Sequence, residues 1–509
     1  QLFYDLWFVA NLEVFSSVHE VTQNTKLYSY MGYLTILWFT WFLVGLFDVR
    51  YVTDSIFERL ARTVHLGVMV GFAVVASRFH PDSQIKSIFQ GLSIILMVSR
   101  LVLVVQYAAI IWHVRHFKDG KWPLTLVAVS HFLFAIIYFG LLFGFNDGQS
   151  PRIFIAWYVI AACEALLNLG LALKWKVLSF AGTHLTERMT LLTLIILGEG
   201  VITIAKNVVL IVKNQGWTSV TMGILTAAIT TVYIFFMIYF DWMNHHHMTG
   251  IRQLLWTILH FPFHVALLLF MEGATQFITW WKLLEVQDFA NDEFMNVAAK
   301  LSTHDNNITS EDVAHSLNDT VNHLFKQYPA TYQLTINEIA NILQNIGNIT
   351  NWFWSSNETG FPEINQRFTR DIDNLFVTVI NSIFVNFKVD PFEDNEEVDP
   401  VKMQYKAYTE TNNRFILVFQ YTYTTAGITL IVMTMLYVLT KRQGLTPYNI
   451  LRTSLFLVLG IGLSLVTLVS IRDSHGRVFI RSPWLLPTLC IVFLCVLILT
   501  HLPKPPPLI

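Results

Sequence analysis

The sequence predicts an all-α polytopic membrane protein of about 12 transmembrane helices, built as two tandem six-helix repeats in parallel orientation, with a small helical ectodomain inserted in the second half. Three observations predict it. Of 509 residues, 54% are hydrophobic and only 13% charged, against about 25% charged in soluble domains. Twelve apolar stretches reach or approach the roughly 20 residues needed to cross about 30 Å of hydrocarbon. The same landmarks also recur in the same order along the two halves of the chain.

The apolar stretches run approximately over 2–19, 30–47, 63–79, 87–112, 123–145, 152–173, 187–208, 218–242, 252–281, 413–439, 447–471 and 484–502. Turn chemistry separates several of them, as at His80-Pro81-Asp82, Asn146-Asp147-Gly148 and Gln443-Gly444-Leu445-Thr446-Pro447. The runs are too long and too evenly apolar for barrel strands, and lipid leaves no backbone group unsatisfied, so each is read as a helix. Cys163, Cys490 and Cys495 all lie inside apolar runs, which excludes a disulfide framework and a Cys-rich zinc site.

Residues 282–410 break the pattern. The whole chain carries 33 basic and 35 acidic residues, of which 8 and 20 fall in this segment, leaving 25 and 15 elsewhere. It holds four N-glycosylation sequons, at Asn307, Asn318, Asn348 and Asn357, a pattern expected on the lumenal or external face of a eukaryotic membrane. Leu334, Ile336, Ile339, Ile342 and Leu343 recur at helical spacing. The acidic stretch from Asp390 to Asp399 reads as a solvated linker.

Nine spans precede this insert, so an external insert puts the amino terminus in the cytosol, and twelve spans return the carboxyl terminus to the same side. Arg50, Arg59, Arg62, Arg115, Lys118, Lys174, Lys176, Arg252, Lys441 and Arg452 then flank cytosolic loops, as the positive-inside rule asks, with Arg472, Arg477 and Arg481 against it. The expected location is the eukaryotic secretory pathway, at the plasma membrane or vacuole. The partners expected are the lipid bilayer and a small ion or solute, with a homodimer allowed. Nucleic acid is not expected, because no clustered basic face is present.

The repeat is visible span by span. Glu13 and Glu199 occupy the same place in the first and seventh runs; Phe47-Asp48 and Phe240-Asp241 end the second and eighth; His65 and His260 follow in the third and ninth. Arg100 to Tyr107 and Arg414 to Tyr421 share five of eight residues. Pro123 with Ser130 matches Pro447 with Ser454, and Trp157 with Cys163 matches Trp484 with Cys490. This divides the chain into 1–175 as the first half, 176–281 and 411–509 as the second, and 282–410 as the insert. Arg100, however, sits midway along its apolar run, whereas Arg414 begins its own.

A charge inside the bilayer costs several kcal/mol and faces a bundle interior, so the charged residues within the runs are the functional candidates. They are Asp5, Glu13, Asp48, His65, Arg100, His131, Glu164, Glu199, Asp241, His260, His264, Glu272 and Arg414. His260 and His264 share a helix face, and Glu272 follows two to three turns on, a spacing that serves either a proton relay or a divalent metal. No nucleophile elbow, phosphate loop or dinucleotide fingerprint is present, and no cofactor is expected.

Leu2-Phe3-Tyr4-Asp5-Leu6-Trp7-Phe8-Val9, the pair Glu187-Arg188 leading into Leu194-Ile195-Ile196-Leu197-Gly198-Glu199, the Tyr239-Phe240-Asp241 end and His260-Phe261-Pro262 together resemble the bacterial low temperature requirement A (LtrA) family and its fungal relatives. The resemblance implies a polytopic membrane protein linked by name to growth in the cold, and adds Glu187 and Arg188 to the site residues. Gln1 in place of the family's usual Glu, the additional His264 and the large insert depart from that pattern. The favoured function is a proton- or cation-responsive transporter or channel, with Asp5, Glu13, Asp48, His65, Arg100, Glu187, Arg188, Glu199, Asp241, His260, Glu272 and Arg414 lining the path. Two readings stay open beside it. One is a metal-assisted lipid hydrolase using His260, His264, Glu272 and Asp241; the other is a structural or sensory protein acting through its ectodomain.

Overall fold

The computed structural model of the chain describes residues 2–19, 21–145, 152–213, 217–243, 248, 250–303, 308–355, 362–389, 400–441, 446–471 and 475–503. Among these residues there is no strand. Seventeen α-helices follow in order: α1 (Leu2–Val18), α2 (Asn24–Tyr51), α3 (Ile56–Ala76), α4 (Lys86–His113), α5 (Lys118–Leu141), α6 (Ile155–Lys174), α7 (Leu185–Lys213), α8 (Ser219–Trp242), α9 (Ile251–Thr303), α10 (Ser310–Gln327), α11 (Gln333–Gly347), α12 (Trp352–Ser355), α13 (Pro362–Asn386), α14 (Pro400–Thr440), α15 (Pro447–Leu465), α16 (His475–Ile480) and α17 (Leu485–His501).

Ten of the described helices, α2 to α9 with α14 and α15, are long and apolar enough to cross a membrane. The first and last of the twelve apolar stretches form α1 and α17, with 17 residues each, a rise of about 26 Å at 1.5 Å per residue. That is shorter than the roughly 30 Å of hydrocarbon. Local chemistry sets several starts. Ser55 and Thr218 accept hydrogen bonds from the backbone of Glu58 and Thr221, and Thr446 caps α15 just ahead of Pro447.

The order of packing is regular. In the amino-terminal part α1 packs on α2 and α3, α3 on α4, α4 on α5, and α6 on both α2 and α5. In the carboxyl-terminal part α7 packs on α8 and α9, α9 on α14, α14 on α15, and α17 on both α8 and α15. The two parts meet where α1 and α2 touch α7 and where α2 touches α9.

Composition places boundaries at 281/282 and 410/411, yet both fall inside continuous helices. The 53 residues of α9 rise about 80 Å, so the helix leaves the apolar zone and continues into the insert without a loop. The 41 residues of α14 return the same way. Arg100 lies 14 residues after Lys86 and Arg414 lies 14 after Pro400, so the two arginines have the same place in their helices once the polar start of α14 is included.

In the insert, α10, α11 and α13 pack on one another and on α9 and α14. Thr309 and Asp312 form a capping box at the start of α10. Val313, Leu317, Val321 and Leu324 are buried on α10, and Ile339, Ile342, Leu343 and Ile346 on α11. Leu334 and Ile336, expected in this apolar set, are exposed, because they fall off the inward stripe of α11. Asn318 and Asn348 are exposed. Asn307, Asn357 and the stretch from Asp390 to Asp399 lie outside the described residues.

Candidate functional site

The seam formed by α1, α2, α7 and α9 collects most of the charged candidates. Near its start on α7, Arg188 Nη1 donates to Asp48 Oδ2 at 3.0 Å and Nη2 to Asp5 Oδ1 at 3.3 Å. Trp41 Nε1 donates to the same Asp5 oxygen at 2.6 Å, and the guanidinium lies 5.4 Å from the Trp41 ring centre. All three charged groups are buried. Gly45 makes room on α2: a Cβ there would stand 3.4 Å from Arg188 Cζ. One cation between two carboxylates leaves a net negative charge, held across α1, α2 and α7.

His260 and His264 lie on one face of α9, with Pro262 between them withdrawing the hydrogen bond to the Ile258 carbonyl. Both rings are fully buried, and their partners fix their tautomers. Trp38 Nε1 can only donate, so His264 Nδ1 accepts from it at 3.1 Å. The neutral ring then carries its proton on Nε2 and donates to Thr193 Oγ1 at 2.8 Å. The single hydroxyl hydrogen of Thr193 faces both Tyr239 Oη at 3.0 Å and the Met189 carbonyl at 3.1 Å, and along the chain it goes to Tyr239. Tyr239 donates to His260 Nε2 at 3.1 Å, and His260 Nδ1 donates to the Trp256 carbonyl at 2.8 Å. All four ring nitrogens are thereby occupied, and the chain is polarised in one direction from Trp38 to Trp256.

Farther along the seam, Leu12 and Ser16 of α1, Tyr30 of α2, Ile196, Glu199, Gly200 and Thr203 of α7, and Leu268, Met271 and Glu272 of α9 enclose a small pocket of about 20 Å³. That is room for about one water molecule. Glu199 and Glu272 are half-buried there. Gln276 Nε2 donates to Glu272 Oε1 at 3.1 Å and approaches Tyr421 Oη at 3.3 Å. On the same stretch of α1 and α7, Glu13 is ion-paired with Lys206.

Other candidates lie away from this seam. Arg100 Nε meets Glu164 Oε2 at 2.9 Å, His131 Nδ1 meets Glu164 Oε1 at 2.8 Å, and Arg100 Nη1 donates to Thr40 Oγ1 at 3.1 Å. These groups come from α4, α6, α5 and α2 and are buried within the first six helices. His65 Nε2 bonds Gln106 Oε1 at 2.9 Å, and Gln106 Nε2 donates to Glu58 Oε2 at 2.9 Å. Arg414 is buried on α14, with its guanidinium 5.4 Å from the Phe415 ring centre. Glu187 is exposed and pairs with His184 at 3.1 Å. Asp241, which the sequence pattern pairs with buried Asp48, is also exposed, 3.4 Å from His501.

Glu272 is not brought to the histidines, since eight residues of helix separate it from His264 by about 12 Å. Among the described residues no three His, Cys, Asp or Glu side chains come together as a metal set. Trp38, Trp41, Thr193 and Tyr138 carry contacts that no charge argument finds. Lys206 lies inside the seventh apolar run, and the burial cost that picked out Glu199 points to it equally.

No curated protein matches the chain, and no solved structure matches it. The matching family is described as bacterial low temperature requirement A protein (LtrA), and its model covers residues 1–287, through α1 to α8 and the membrane part of α9. With more than half of the 509 residues matched, the chain belongs to the LtrA family.

Proposed function

We propose that this LtrA-family membrane protein moves protons or small cations along the seam between two six-helix halves. The observation that carries the reading is the pocket where α1, α2, α7 and α9 meet, with Glu199 and Glu272 both half-buried on its wall. Carboxylates within membrane-spanning helices are costly and commonly mark a route for protons or cations. With Asp5 and Asp48 against Arg188, and Glu13, Glu199 and Glu272 against Lys206, the seam carries five acids and two fixed cations. That excess favours cations over anions. Between the two charged levels stands the chain from Trp38 to Trp256, and its hydrogen bonds must rearrange for passage.

The paired halves are part of this proposal. Support comes from the matched packing order of α1 to α6 and of α7, α8, α9, α14, α15 and α17, and from the equal helical places of Arg100 and Arg414. Contact between α1 and α7, counterparts in the proposed repeat, supports a route beside the axis that would relate the halves. The insert is assigned to the external or lumenal side, where exposed Asn318 and Asn348 would take glycans.

The metal-assisted hydrolase reading has less support. A metal at His260 or His264 must displace a hydrogen bond from a ring nitrogen already engaged. In proteoliposomes with an imposed pH or cation gradient, the wild-type chain should give flux, and Glu199→Gln with Glu272→Gln should reduce it at least tenfold. Absence of flux for protons and for alkali cations from a folded wild-type protein overturns the reading.

A further inference from the structure

Inside the first six helices a second set of polar atoms stands apart from the seam pocket. Tyr4 Oη, His65 Nδ1, Ser93 Oγ, Arg100 Nη2, Tyr138 Oη and Trp157 Nε1 are all buried, and among the described residues none makes a well-formed hydrogen bond. Leaving even one such group dry costs about 1–3 kcal/mol, and native interiors hold few of them. Six in one half-bundle, on five of its six helices, need a common explanation.

Their chemistry narrows it. Gln106 Nε2 is committed to Glu58, so its Oε1 accepts from His65 Nε2, and His65 Nδ1 is left as a bare acceptor. Arg100 Nη2 and Trp157 Nε1 can only donate, while the three hydroxyls can do either. An anion would satisfy the donors and repel Glu164, whose Oε2 is 2.9 Å from Arg100 Nε. A cation would satisfy only the acceptors and meet the guanidinium. Water alone suits a mixed set.

The atoms also lie in sequence. Trp157 stacks on Phe89 at 5.6 Å, one turn before Ser93 on α4. Arg100 follows two turns on, with its guanidinium 5.3 Å from the Tyr138 ring centre. Tyr4 and His65 stand 6.4 Å apart by ring centres. His65 leads through Gln106 to Glu58, near the start of α3. Ser93 to Gln106 spans about 20 Å of helix.

We propose that the first six helices enclose a file of internal water molecules running from Trp157 and Ser93 past Arg100 to His65. With Arg100 midway, the file admits water while the guanidinium opposes the passage of cations. Under the repeat alignment the second half carries Gly462 in place of Tyr138, and Leu455 and Ile491 in place of the Arg100-side partners His131 and Glu164, so the same file is interrupted there.

Radiolytic hydroxyl labelling of the full chain in micelles, run in oxygen-18 water, tests this without any flux measurement. Bound water labels the side chains it touches. Tyr4 and Tyr138 should be labelled despite their burial, while Tyr423, as buried as Tyr138 but donating to the Leu485 carbonyl at 2.8 Å, stays silent. Silence at either Tyr4 or Tyr138 overturns a continuous file. Tyr138→Phe gives an independent sign. If its hydroxyl is hydrated, the thermal midpoint is unchanged or lower; a midpoint raised by several degrees means a dry, unsatisfied hydroxyl was removed, and the file is wrong.

Discussion

Arg188 Nη1 meets Asp48 Oδ2 at 3.0 Å, joining α7 to α2 across 140 residues of sequence. Asp5 completes the group from α1, so one guanidinium holds three helices together. Removing it leaves two buried carboxylates uncompensated, which costs about 3–5 kcal/mol when a buried pair is broken from one side. Arg188→Leu should therefore lower the thermal midpoint in detergent sharply, and Asp48→Asn added to it should recover part of the loss. Equal stability of the single and double variants would mean that the acids do not feel Arg188.

The two histidines of α9 should show opposite tautomers. Nitrogen-15 spectra of the full chain should place the proton of His264 on Nε2 and that of His260 on Nδ1. Trp38→Phe removes the donor to His264 Nδ1 and should cost about 1–3 kcal/mol as a buried acceptor left bare. It should also shift the His264 signals more than those of His260. Both rings in the same tautomer would break the one-way chain through Thr193 and Tyr239.

The longest helix contact, α9 against α14, depends on a small residue. A Cβ at Gly273 would collide with Thr422, whose Oγ1 already donates to the Val418 carbonyl at 2.6 Å. Gly273→Leu should destabilise the pair by about 1–3 kcal/mol, as overpacking does, read as a lower thermal midpoint. Gly198→Leu, where an added Cβ meets nothing within 4 Å, should be close to neutral.

In the insert, burial pushes the Asp371 carboxyl above the ordinary carboxylate range, with Arg370 and Arg367 opposing. A folded-state value above the unfolded one means the stabilising contribution is complete below the unfolded value, near 3.8. It is lost as pH rises through the folded value. At pH 7 the charged form is therefore a liability, and Asp371→Asn should slow hydrogen exchange over residues 362–386 relative to the parent. Faster exchange would show that the arginine contacts outweigh burial.

Much of the helical layout is legible because an apolar run of about 20 residues has one stable answer in lipid. The burial cost of charge singles out Arg188, Asp5 and Asp48, but nothing local says that an arginine on α7 chooses acids on α1 and α2. Arg100 shows the same limit: its partner Glu164 comes from α6 and is shared with His131 of α5, so it belongs to the interior of the first six helices and not to the seam. Asp241 matches Asp48 by register and yet is exposed, and its ion-pair partner among the described residues is His501 rather than an arginine. The extents of α9 and α14 are hidden by composition, since polarity changes at residue 282 while the helical hydrogen bonding continues.

The most direct test of the central claim is flux through purified protein in sealed liposomes, with an internal pH dye and a potential set by a potassium gradient. Wild-type protein should acidify or alkalinise the lumen according to the sign of the gradient, and the Glu199→Gln, Glu272→Gln double variant should fall at least tenfold while folding normally. Folded wild-type protein that moves neither protons nor alkali cations, or a double variant as active as wild type, would contradict the assignment of the α1, α2, α7 and α9 seam as the path.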